Sequence, residues 1–381
     1  MANVLLAILV SLFSLELFSF VATQANLLLF NDMPGVYRHR YDGQEWRTQK
    51  DPWGSWHRPN STDRHRSACF DVRYQANEIG ARDGAFSREK PGPSPRYVLL
   101  GDSFAEGFGI DFENTAQARL ETLTGIDIYN FGSDGYFGPV QYDLIYEKLA
   151  NSYQHDGVVL FFLPANDFTD NNFAVWKTLH PTWYRPYYKK EDGGRYGVFY
   201  PDGAVPDEHF DRPGWFKRLL LDYTFTANTL RTITYLLTGN AQESKYSGYF
   251  DGTADEQKAV LYFLERIVDR AGQRPVIILV IPNRADLRRI QAGEHYADQY
   301  WYRQLRFLQN VRPNVDVIDM AESMPRDYER FFLSCDNHWN ELGNAEAARL
   351  LAARLGQAPA RTPALDRVAK DRETGHEVKS Q

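Results

Sequence analysis

The sequence predicts a three-layer α/β fold in which a parallel five-stranded sheet lies between two layers of helices. Two observations predict it. Short apolar runs have the length of buried strands, at residues 96–100, 126–130, 157–163, 276–281 and 315–318. Helical patterns alternate with these runs, at residues 113–124, 139–151, 254–272, 297–310 and 340–355. Because strands that alternate with helices form parallel βαβ units, the expected sheet is parallel and covered on both faces.

The 381 residues divide into four predicted segments. Residues 1–25 are a signal or membrane anchor, and residues 26–95 are an irregular, aromatic and turn-rich arm. Residues 96–356 form the α/β domain, and residues 357–381 are a charged tail with too few apolar residues to fold. The 43% apolar content is ordinary for a globular protein, so a real core is expected.

An insertion, residues 168–250, separates the third strand from the fourth. It is far longer than the usual connection of about 2 to 6 residues, so a lid or subdomain is expected. Within it, residues 187–200 predict a β-hairpin and residues 216–237 predict an amphipathic helix. Its aromatic side chains are candidates for substrate contacts and equally for the subdomain's own core: Trp176, Trp183, Tyr184, Tyr187, Tyr188 and Trp215.

The amino terminus is almost continuously apolar over residues 4–22, with Glu16 as its only charge. This length is close to the roughly 18 to 20 residues that span a bilayer. Small residues allow cleavage after Ala25, but no Lys or Arg precedes the apolar run. Arg38 and Arg40 follow it, so the positive-inside rule does not support export. A signal or an anchor is expected, with a buried amphipathic helix as the alternative.

Charge and motif content exclude several classes of function. The net charge of −7, with scattered basic residues, argues against a nucleic-acid partner. The sequence lacks Gly-x-x-x-x-Gly-Lys, His-Glu-x-x-His and Cys-x-x-Cys, so nucleotide and zinc mechanisms lack their usual ligands. We therefore expect chemistry without a metal or a cofactor.

Two separated motifs together predict nucleophilic catalysis. Gly101-Asp102-Ser103 follows the first predicted strand, where open α/β sheets bind their ligands. Asp336-Asn337-His338-Trp339 lies near the carboxyl terminus. A serine hydroxyl becomes a nucleophile when an imidazole takes its proton and a carboxylate orients that imidazole. Ser103, His338 and Asp336 are the predicted catalytic residues.

Two further segments follow the second and third strands, at residues 130–135 and 164–167. Acyl transfer produces an oxyanion that needs about two or three hydrogen-bond donors. The N–H of Ser103, the N–H of Gly135 and the side-chain amide of Asn166 are the predicted donors. Gly132 is available as an alternative to Gly135. Asp167, Asn337 and Trp339 are expected to shape the site rather than to react.

In this order, the four blocks resemble those of the SGNH or GDSL hydrolase superfamily, named after a serine, a glycine, an asparagine and a histidine. The matching residues are Ser103, Gly135, Asn166 and His338. Gly135 is preferred to Gly132 because members commonly place the donor glycine five residues after the strand-ending asparagine. The resemblance implies a flavodoxin-like SGNH fold and a serine esterase that forms an acyl-enzyme.

The resemblance also bears on location. Residues 77–82, Asn-Glu-Ile-Gly-Ala-Arg, resemble an element that often precedes the serine block in membrane-anchored members. This implies an exported or anchored protein with a periplasmic catalytic domain. In an oxidising compartment Cys69 and Cys335 can form a disulfide, and two inert buried cysteines are the alternative. His57 and His65 receive no role.

Three functions remain open. One is an esterase that cleaves O-acyl esters of a small molecule, carbohydrate or lipid. A second is an O-acyltransferase acting on cell-envelope polysaccharide, since the His-Trp loop resembles that of polysaccharide acetylation proteins. The third is a non-catalytic binding module of the envelope. An α/β-hydrolase elbow is disfavoured because Ala105 replaces its second glycine. A purely structural interpretation makes Asp102 a helix cap and His338 a loop histidine.

Overall fold

The protein, in a computed structural model, is described over residues 1–28, 33–38, 46–50, 52–178, 181–206, 214–237 and 246–355. The tail predicted at residues 357–381 lies outside the described residues. The strands are β1 (Arg47–Lys50), β2 (Gly54–His57), β3 (Thr62–Arg66), β4 (Asp71–Gln75), β5 (Arg96–Leu100), β6 (Asp127–Asn130), β7 (Gly157–Phe162), β8 (Tyr187–Lys190), β9 (Tyr196–Phe199), β10 (Val276–Val280) and β11 (Val315–Asp319).

The helices alternate with the sheet strands and also occupy the amino terminus and the insertion. They are α1 (Ala2–Gln24), α2 (Gly35–Arg38), α3 (Ser103–Glu106), α4 (Ala116–Thr124), α5 (Pro139–Lys148), α6 (Pro164–Asp170), α7 (Phe173–Trp176), α8 (Trp215–Tyr223), α9 (Phe225–Leu237), α10 (Gly248–Asp251), α11 (Ala254–Ala271), α12 (Arg284–Gln291), α13 (Tyr300–Val311) and α14 (Glu341–Leu355).

The central sheet has the order β11-β10-β7-β5-β6, and all of its neighbouring strands are parallel. The predicted five-stranded parallel sheet is confirmed. Its strands β5, β7 and β10 are buried along their whole length, as their continuous apolar runs require. The chain moves from β5 outward to β6 and then returns to the other side of β5 to form β7. Such a reversal opens a crevice at the carboxyl ends of β5 and β7, where ligands bind in this class of fold.

The helix layers follow the prediction with small differences at their ends. Helix α4 contacts α14, while α11 contacts both α5 and α13. The helix predicted from residue 113 begins later, because residues Phe112–Asn114 form a 3-10 turn. Thr115 then caps α4 by accepting the N–H of Ala118. The side chain of Thr115 therefore sets the start of this helix.

The arm before β5 contains more regular structure than the sequence indicates. Strands β1 and β2 form one antiparallel ribbon, and β3 and β4 form another. Trp56 in β2 is completely buried and packs near Phe137 of the main domain, with ring centroids 6.3 Å apart. The arm therefore belongs to the core rather than lying loosely on the surface.

The insertion contains the expected hairpin, because β8 and β9 pair in antiparallel fashion across Gly193, whose φ is +73°. The single helix predicted at residues 216–237 is instead two helices, α8 and α9. They are separated by Thr224, whose backbone is extended. The Thr224 hydroxyl accepts the N–H of Ala227 in the first turn of α9. This cap explains why the helical pattern breaks there.

Helix α1 is 23 residues long and almost entirely exposed. Within the described ranges it is the one helix that is long and apolar enough to cross a membrane. The alternative of a buried amphipathic helix does not fit, because only Ser19, Ala22 and Thr23 are buried.

Candidate active site

The structure brings together the predicted catalytic serine, histidine and aspartate. Ser103 Oγ lies 2.7 Å from His338 Nε2, although 235 positions separate the two residues. On the other side of the imidazole, Nδ1 is hydrogen-bonded to Asp336 Oδ1. Since an ionised carboxylate only accepts hydrogen bonds, this contact places the ring proton on Nδ1. Nε2 is then free to accept the proton of the serine hydroxyl.

Apolar rings surround the imidazole. The ring of Phe108 stacks on that of His338 with centroids 4.2 Å apart, and the ring of Phe104 lies 4.9 Å away. Trp339 is buried and packs edge-on against Phe104 at 4.9 Å. Trp339 thus supports the site by packing, as the sequence predicts. These contacts hold the imidazole in one orientation and reduce its access to water.

The imidazole and the carboxylate shift each other's pKa. Burial alone would lower the pKa of His338, but the neighbouring Asp336 carboxylate outweighs it and holds this pKa above its ordinary value. Burial alone would raise the pKa of Asp336, but His338 and Arg284 hold it below its ordinary value. The pair therefore favours an ionised Asp336 and strengthens His338 as a base.

Arg284, which the sequence analysis does not identify, holds the loop that carries this pair. It lies at the start of α12, directly after β10. Its guanidinium donates to the carbonyls of Asp336 at 2.6 Å and Leu333 at 2.9 Å, and to Asn337 Oδ1 at 3.0 Å. Five donors in one planar group suit Arg to this task. No spacing pattern distinguishes Arg284 from the other arginines of the chain.

A disulfide also fixes the loop. Cys69, in the turn between β3 and β4, is bonded to Cys335, and their Cα atoms are 5.7 Å apart. The predicted pairing of these two cysteines is therefore present. Just beyond α1, the side-chain amide of Asn26 donates to the carbonyl of Ser334 at 2.7 Å. The amino-terminal region and the arm thus both contact the residues that lead into Asp336.

The predicted nucleophile, Ser103, begins helix α3. Asp102 Oδ1 caps this helix by accepting the N–H of Phe104 at 2.9 Å, and Asp102 Oδ2 accepts the side-chain amide of Asn166 at 3.0 Å. As the first helical residue, Ser103 has an N–H without an intrahelical acceptor. A side chain at Gly101 would lie 2.7 Å from the Ala105 Cβ, so only glycine fits before the turn. The structure therefore places Asn166 beside the serine turn through Asp102.

Gly135 lies on the loop after β6 with a φ of +107°. Its N–H donates to Asp134 Oδ1 at 2.5 Å, and the Asp134 carboxylate is also paired with Arg47 of the arm. The alternative glycine, Gly132, donates its N–H to Asn130 Oδ1 at 2.8 Å. Both candidate amides therefore have acceptors within the protein.

A buried pair from the arm supports the same loop. His57 Nε2 lies 3.4 Å from Glu106 Oε1, and both side chains are almost fully buried. Burial alone would raise the pKa of Glu106, but His57, Arg82 and Arg47 together lower it to about 2. Glu106 in turn accepts the N–H of Asp134. His57, left without a role by the sequence, thus acts on the candidate oxyanion loop through Glu106.

Arg82, the last residue of the Asn-Glu-Ile-Gly-Ala-Arg element, lies beneath the serine helix. Its guanidinium donates to the carbonyls of Glu106, Gly107 and Ile110. The first two carbonyls lie at the end of α3, where helical acceptors lack partners, and the third lies in the loop that follows. Arg82 therefore stabilises the carboxyl end of α3. In the sequence, the resemblance of residues 77–82 to the element of membrane-anchored members was the one signal that pointed to Arg82.

Comparisons with known proteins match the carboxyl-terminal part of the chain. A family model described as "SGNH hydrolase-like domain, acetyltransferase AlgX" matches residues 243–379. The match includes Asp336 and His338, whereas the serine block precedes it. No curated protein sequence matches the chain.

Among solved structures, the chain is similar to a lipase from a goat rumen metagenome, with 14% identity, a TM-score of 0.38, and 68% of this chain and 97% of that one covered. A lipase/acylhydrolase from Enterococcus faecalis has 14% identity, a TM-score of 0.35 and coverages of 70% and 100%. A carbohydrate esterase family 2 enzyme from Corynascus thermopiles has 14% identity, a TM-score of 0.32 and coverages of 74% for both chains. At such identities and scores these similarities carry no weight for the function.

The matched family model, the parallel sheet and the order of the serine, glycine, asparagine and histidine blocks lead to one assignment. The assignment that they support is the SGNH hydrolase superfamily, with the family model matching residues 243–379 of the chain.

Proposed function

We propose that this protein is a serine esterase that cleaves O-acyl ester bonds through an acyl-enzyme. The observation that carries the proposal is the hydrogen-bonded series from Ser103 Oγ through His338 to Asp336. A serine hydroxyl hydrogen-bonded to an imidazole that a carboxylate orients is the arrangement that nucleophilic acyl transfer requires.

The proposed reaction has two halves. Ser103 Oγ attacks the ester carbonyl carbon while its proton passes to His338 Nε2, and the carbonyl oxygen becomes an oxyanion. When that intermediate collapses, the alcohol leaves with the proton from His338, and the acyl group stays on Ser103. Water then loses a proton to His338 and attacks the acyl-enzyme, which releases the acid and restores the serine.

We assign the oxyanion contacts to the N–H of Ser103 and the side-chain amide of Asn166. The first amide of α3 is unpaired within the helix. The Asn166 side-chain amide has two N–H donors, of which one goes to Asp102, so we assign the second to the oxyanion. Gly135 joins them as a donor once Asp134 releases its N–H. Two preorganised donors in a dry site suffice for much of the stabilisation, because each is worth about 2.7–4 kcal/mol.

An O-acyltransferase acting on cell-envelope polysaccharide is the second candidate. The description of the matched family model names an acetyltransferase, and this favours the second candidate. In that case a sugar hydroxyl replaces water in the second half of the reaction, and every other step is unchanged. The two candidates therefore share the acyl-enzyme and differ in what attacks it.

Labelling with a serine-directed fluorophosphonate tests the shared half. We expect one adduct on wild-type protein, none on Ser103→Ala, and unchanged labelling of the control Ser152→Ala, whose hydroxyl bonds to the carbonyl of Leu149. Turnover in Ser103→Ala and His338→Ala should fall about 10³ to 10⁶-fold. A wild-type protein that forms no adduct would instead favour the non-catalytic binding module.

Product analysis separates the two enzymes. With nitrophenyl acetate as donor, an esterase releases acetate at the same rate whether or not an oligosaccharide is added. A transferase yields acetylated oligosaccharide at the expense of free acetate. Esters of increasing chain length, assayed alongside, define the acyl group.

We further propose that the catalytic domain works outside the cytoplasm, anchored through α1. Its support is the exposed apolar helix together with the Cys69–Cys335 disulfide, a bond that persists in oxidising compartments.

A further inference from the structure

Helices α8 and α9 of the insertion present apolar side chains outward. Trp215 in α8 is 79% exposed and Leu237 in α9 is 80% exposed. At 100° per residue, the exposed apolar residues of α8 fall within one arc of about 140°. They are Trp215, Phe216, Leu219, Leu220 and Tyr223. Contiguous exposed apolar surface of this kind marks an interaction site.

The polar residues of α8 lie on its other side. There Arg218 donates to Asp222 at 3.2 Å. In α9 the exposed apolar residues, Leu230, Ile233 and Leu237, recur at the helical spacing of three and four. Both helices are therefore amphipathic, and the apolar side chains named here are exposed on each.

The start of α9 is fixed to α1 by the single charge of that helix. The Glu16 carboxylate accepts the N–H of Phe225 at 2.7 Å and the N–H and hydroxyl of Thr226 at 3.0 and 2.7 Å. Beside this contact the ring of Phe20 packs edge-on against that of Phe225 at 5.1 Å. The carboxylate thus satisfies unpaired N–H groups at the positive end of α9. If α1 were cleaved off as a leader, the N–H groups at the start of α9 would lose this acceptor.

The position of Glu16 indicates what covers the apolar faces. Glu16 precedes Gln24, the last residue of α1, by eight positions, which is about 12 Å along a helix. Half of the hydrocarbon core of a bilayer is about 15 Å thick. When α1 crosses the membrane, Glu16 and the start of α9 both lie within the leaflet on the side of the catalytic domain. A lone carboxylate is costly at that depth, and its three donors offset the cost.

We propose that α8 and α9 are embedded in this leaflet beside a retained α1, with lipid acyl chains covering their apolar faces. The two helices have nine and 13 residues, too few to span a bilayer, so they lie within one leaflet. The proposal rests on the membrane anchorage proposed above and is independent of the chemistry of Ser103. Because Asn26 contacts Ser334, the catalytic loop then lies just outside the bilayer.

Spin labelling of the full chain tests this placement. The protein is reconstituted into vesicles of phosphatidylethanolamine and phosphatidylglycerol, with a nitroxide on Leu219→Cys or Ile233→Cys. Lys217→Cys, on the polar side of α8, is the matched control. The two native cysteines are joined in the disulfide, so the introduced thiol alone is labelled. Collision with oxygen reports lipid, and collision with a water-soluble nickel chelate reports water.

We expect the oxygen-to-nickel ratio to be severalfold higher at positions 219 and 233 than at position 217. Equal nickel access at 217 and 219 would overturn the proposal, since the apolar face would then lie in water. Protection of position 219 from both reagents would also overturn it, because another protein surface, such as a second copy, would then cover the face.

Glu16 provides the second variant. In Glu16→Ala the α8–α9 unit loses its tie to α1, and the ratio at position 219 should fall toward that at position 217. Glu16→Gln keeps an oxygen acceptor and should retain most of the wild-type ratio. An unchanged ratio in Glu16→Ala would contradict the role of Glu16. Fluorophosphonate labelling of the same samples shows that the domain is folded and reports the proposed chemistry separately, so the two proposals fail independently.

Discussion

The Asp134 carboxylate accepts the N–H of Gly135 at 2.5 Å, so the amide expected to bind an oxyanion already has an acceptor. Two residues from outside the loop hold Asp134 in place. Arg47 pairs with its carboxylate, and Glu106 accepts its N–H. Gly135 can therefore donate to a substrate only after the Asp134 side chain turns away, which makes this loop the adjustable part of the site.

A methyl group at Gly135 should damage both stability and rate. In Gly135→Ala the added Cβ would lie 2.5 Å from Ser55 Oγ, and the backbone would have to keep a φ of +107°. We expect a loss of about 1–3 kcal/mol in the free energy of unfolding, measured with urea, and slower ester turnover. Adding Ser55→Gly should restore the stability that is lost through the clash, but not the stability that is lost through the strained backbone. Unchanged stability and turnover in Gly135→Ala would show that the loop adopts another conformation.

The two oxygens of Asp102 should have separable roles. Asn166→Ala is expected to lower kcat about 10²–10³-fold through loss of one oxyanion donor. Asp102→Asn keeps an oxygen that can cap α3, but it disturbs the acceptor of the Asn166 amide. We therefore expect Asp102→Asn to unfold near the wild-type urea midpoint and to have a reduced kcat. Asp102→Ala, which loses both contacts, should be less stable as well. An equal drop in stability in both variants would argue against separate roles.

The rate should fall on the acid side of the His338 pKa. His338 must be neutral to accept the Ser103 proton, and its pKa is held above the ordinary value of about 6.5 by Asp336. The profile of kcat/KM against pH should therefore bend downward at a pH above 6.5 as the solution is acidified. In Asp336→Asn the bend should move to lower pH, together with a lower plateau, because the carboxylate no longer stabilises the imidazolium. A bend at the same pH in both proteins would contradict this pairing.

Reduction of the disulfide should loosen the catalytic loop. Cys69 and Cys335 close a loop with a sequence separation of 266, and the chain-entropy model assigns such a cross-link about 5 kcal/mol. Dithiothreitol should lower the melting temperature and turnover of the wild-type protein. The double variant Cys69→Ser/Cys335→Ser should start at the lower values and should not respond to dithiothreitol. Insensitivity of the wild-type protein would indicate that Arg284 alone is sufficient to hold the loop.

The sheet could be predicted because its strands are buried on both faces. Runs such as β7 and β10 contain apolar residues only, and no other element of that length has this composition. The strand positions and the order of the motifs predicted where the site residues lie. Ser103 and Asn166 follow strands, and His338 lies on the loop before α14. Local composition thus determined most of what positions these residues.

The arm and the insertion could not be predicted to the same depth, because their contacts join distant parts of the chain. Nothing near His57 in the sequence indicates a partner at Glu106, and Arg284 looks like any surface arginine. The break between α8 and α9 depends on one hydroxyl cap at Thr224, which a helical apolar pattern does not reveal. The direction of the Gly135 amide depends on a side chain one residue away. These contacts depend on tertiary packing, which a local sequence pattern does not reveal.

The 235 positions between Ser103 and His338 have a consequence during synthesis. The ribosome adds Ser103 and the neighbouring strands β6 and β7 long before it adds His338, the residue that we propose activates the serine. A chain that stops before residue 338 therefore carries a serine hydroxyl without its proposed base. The proposed reactivity is thus withheld until residue 338 has been added and the loop before α14 has folded against Ser103.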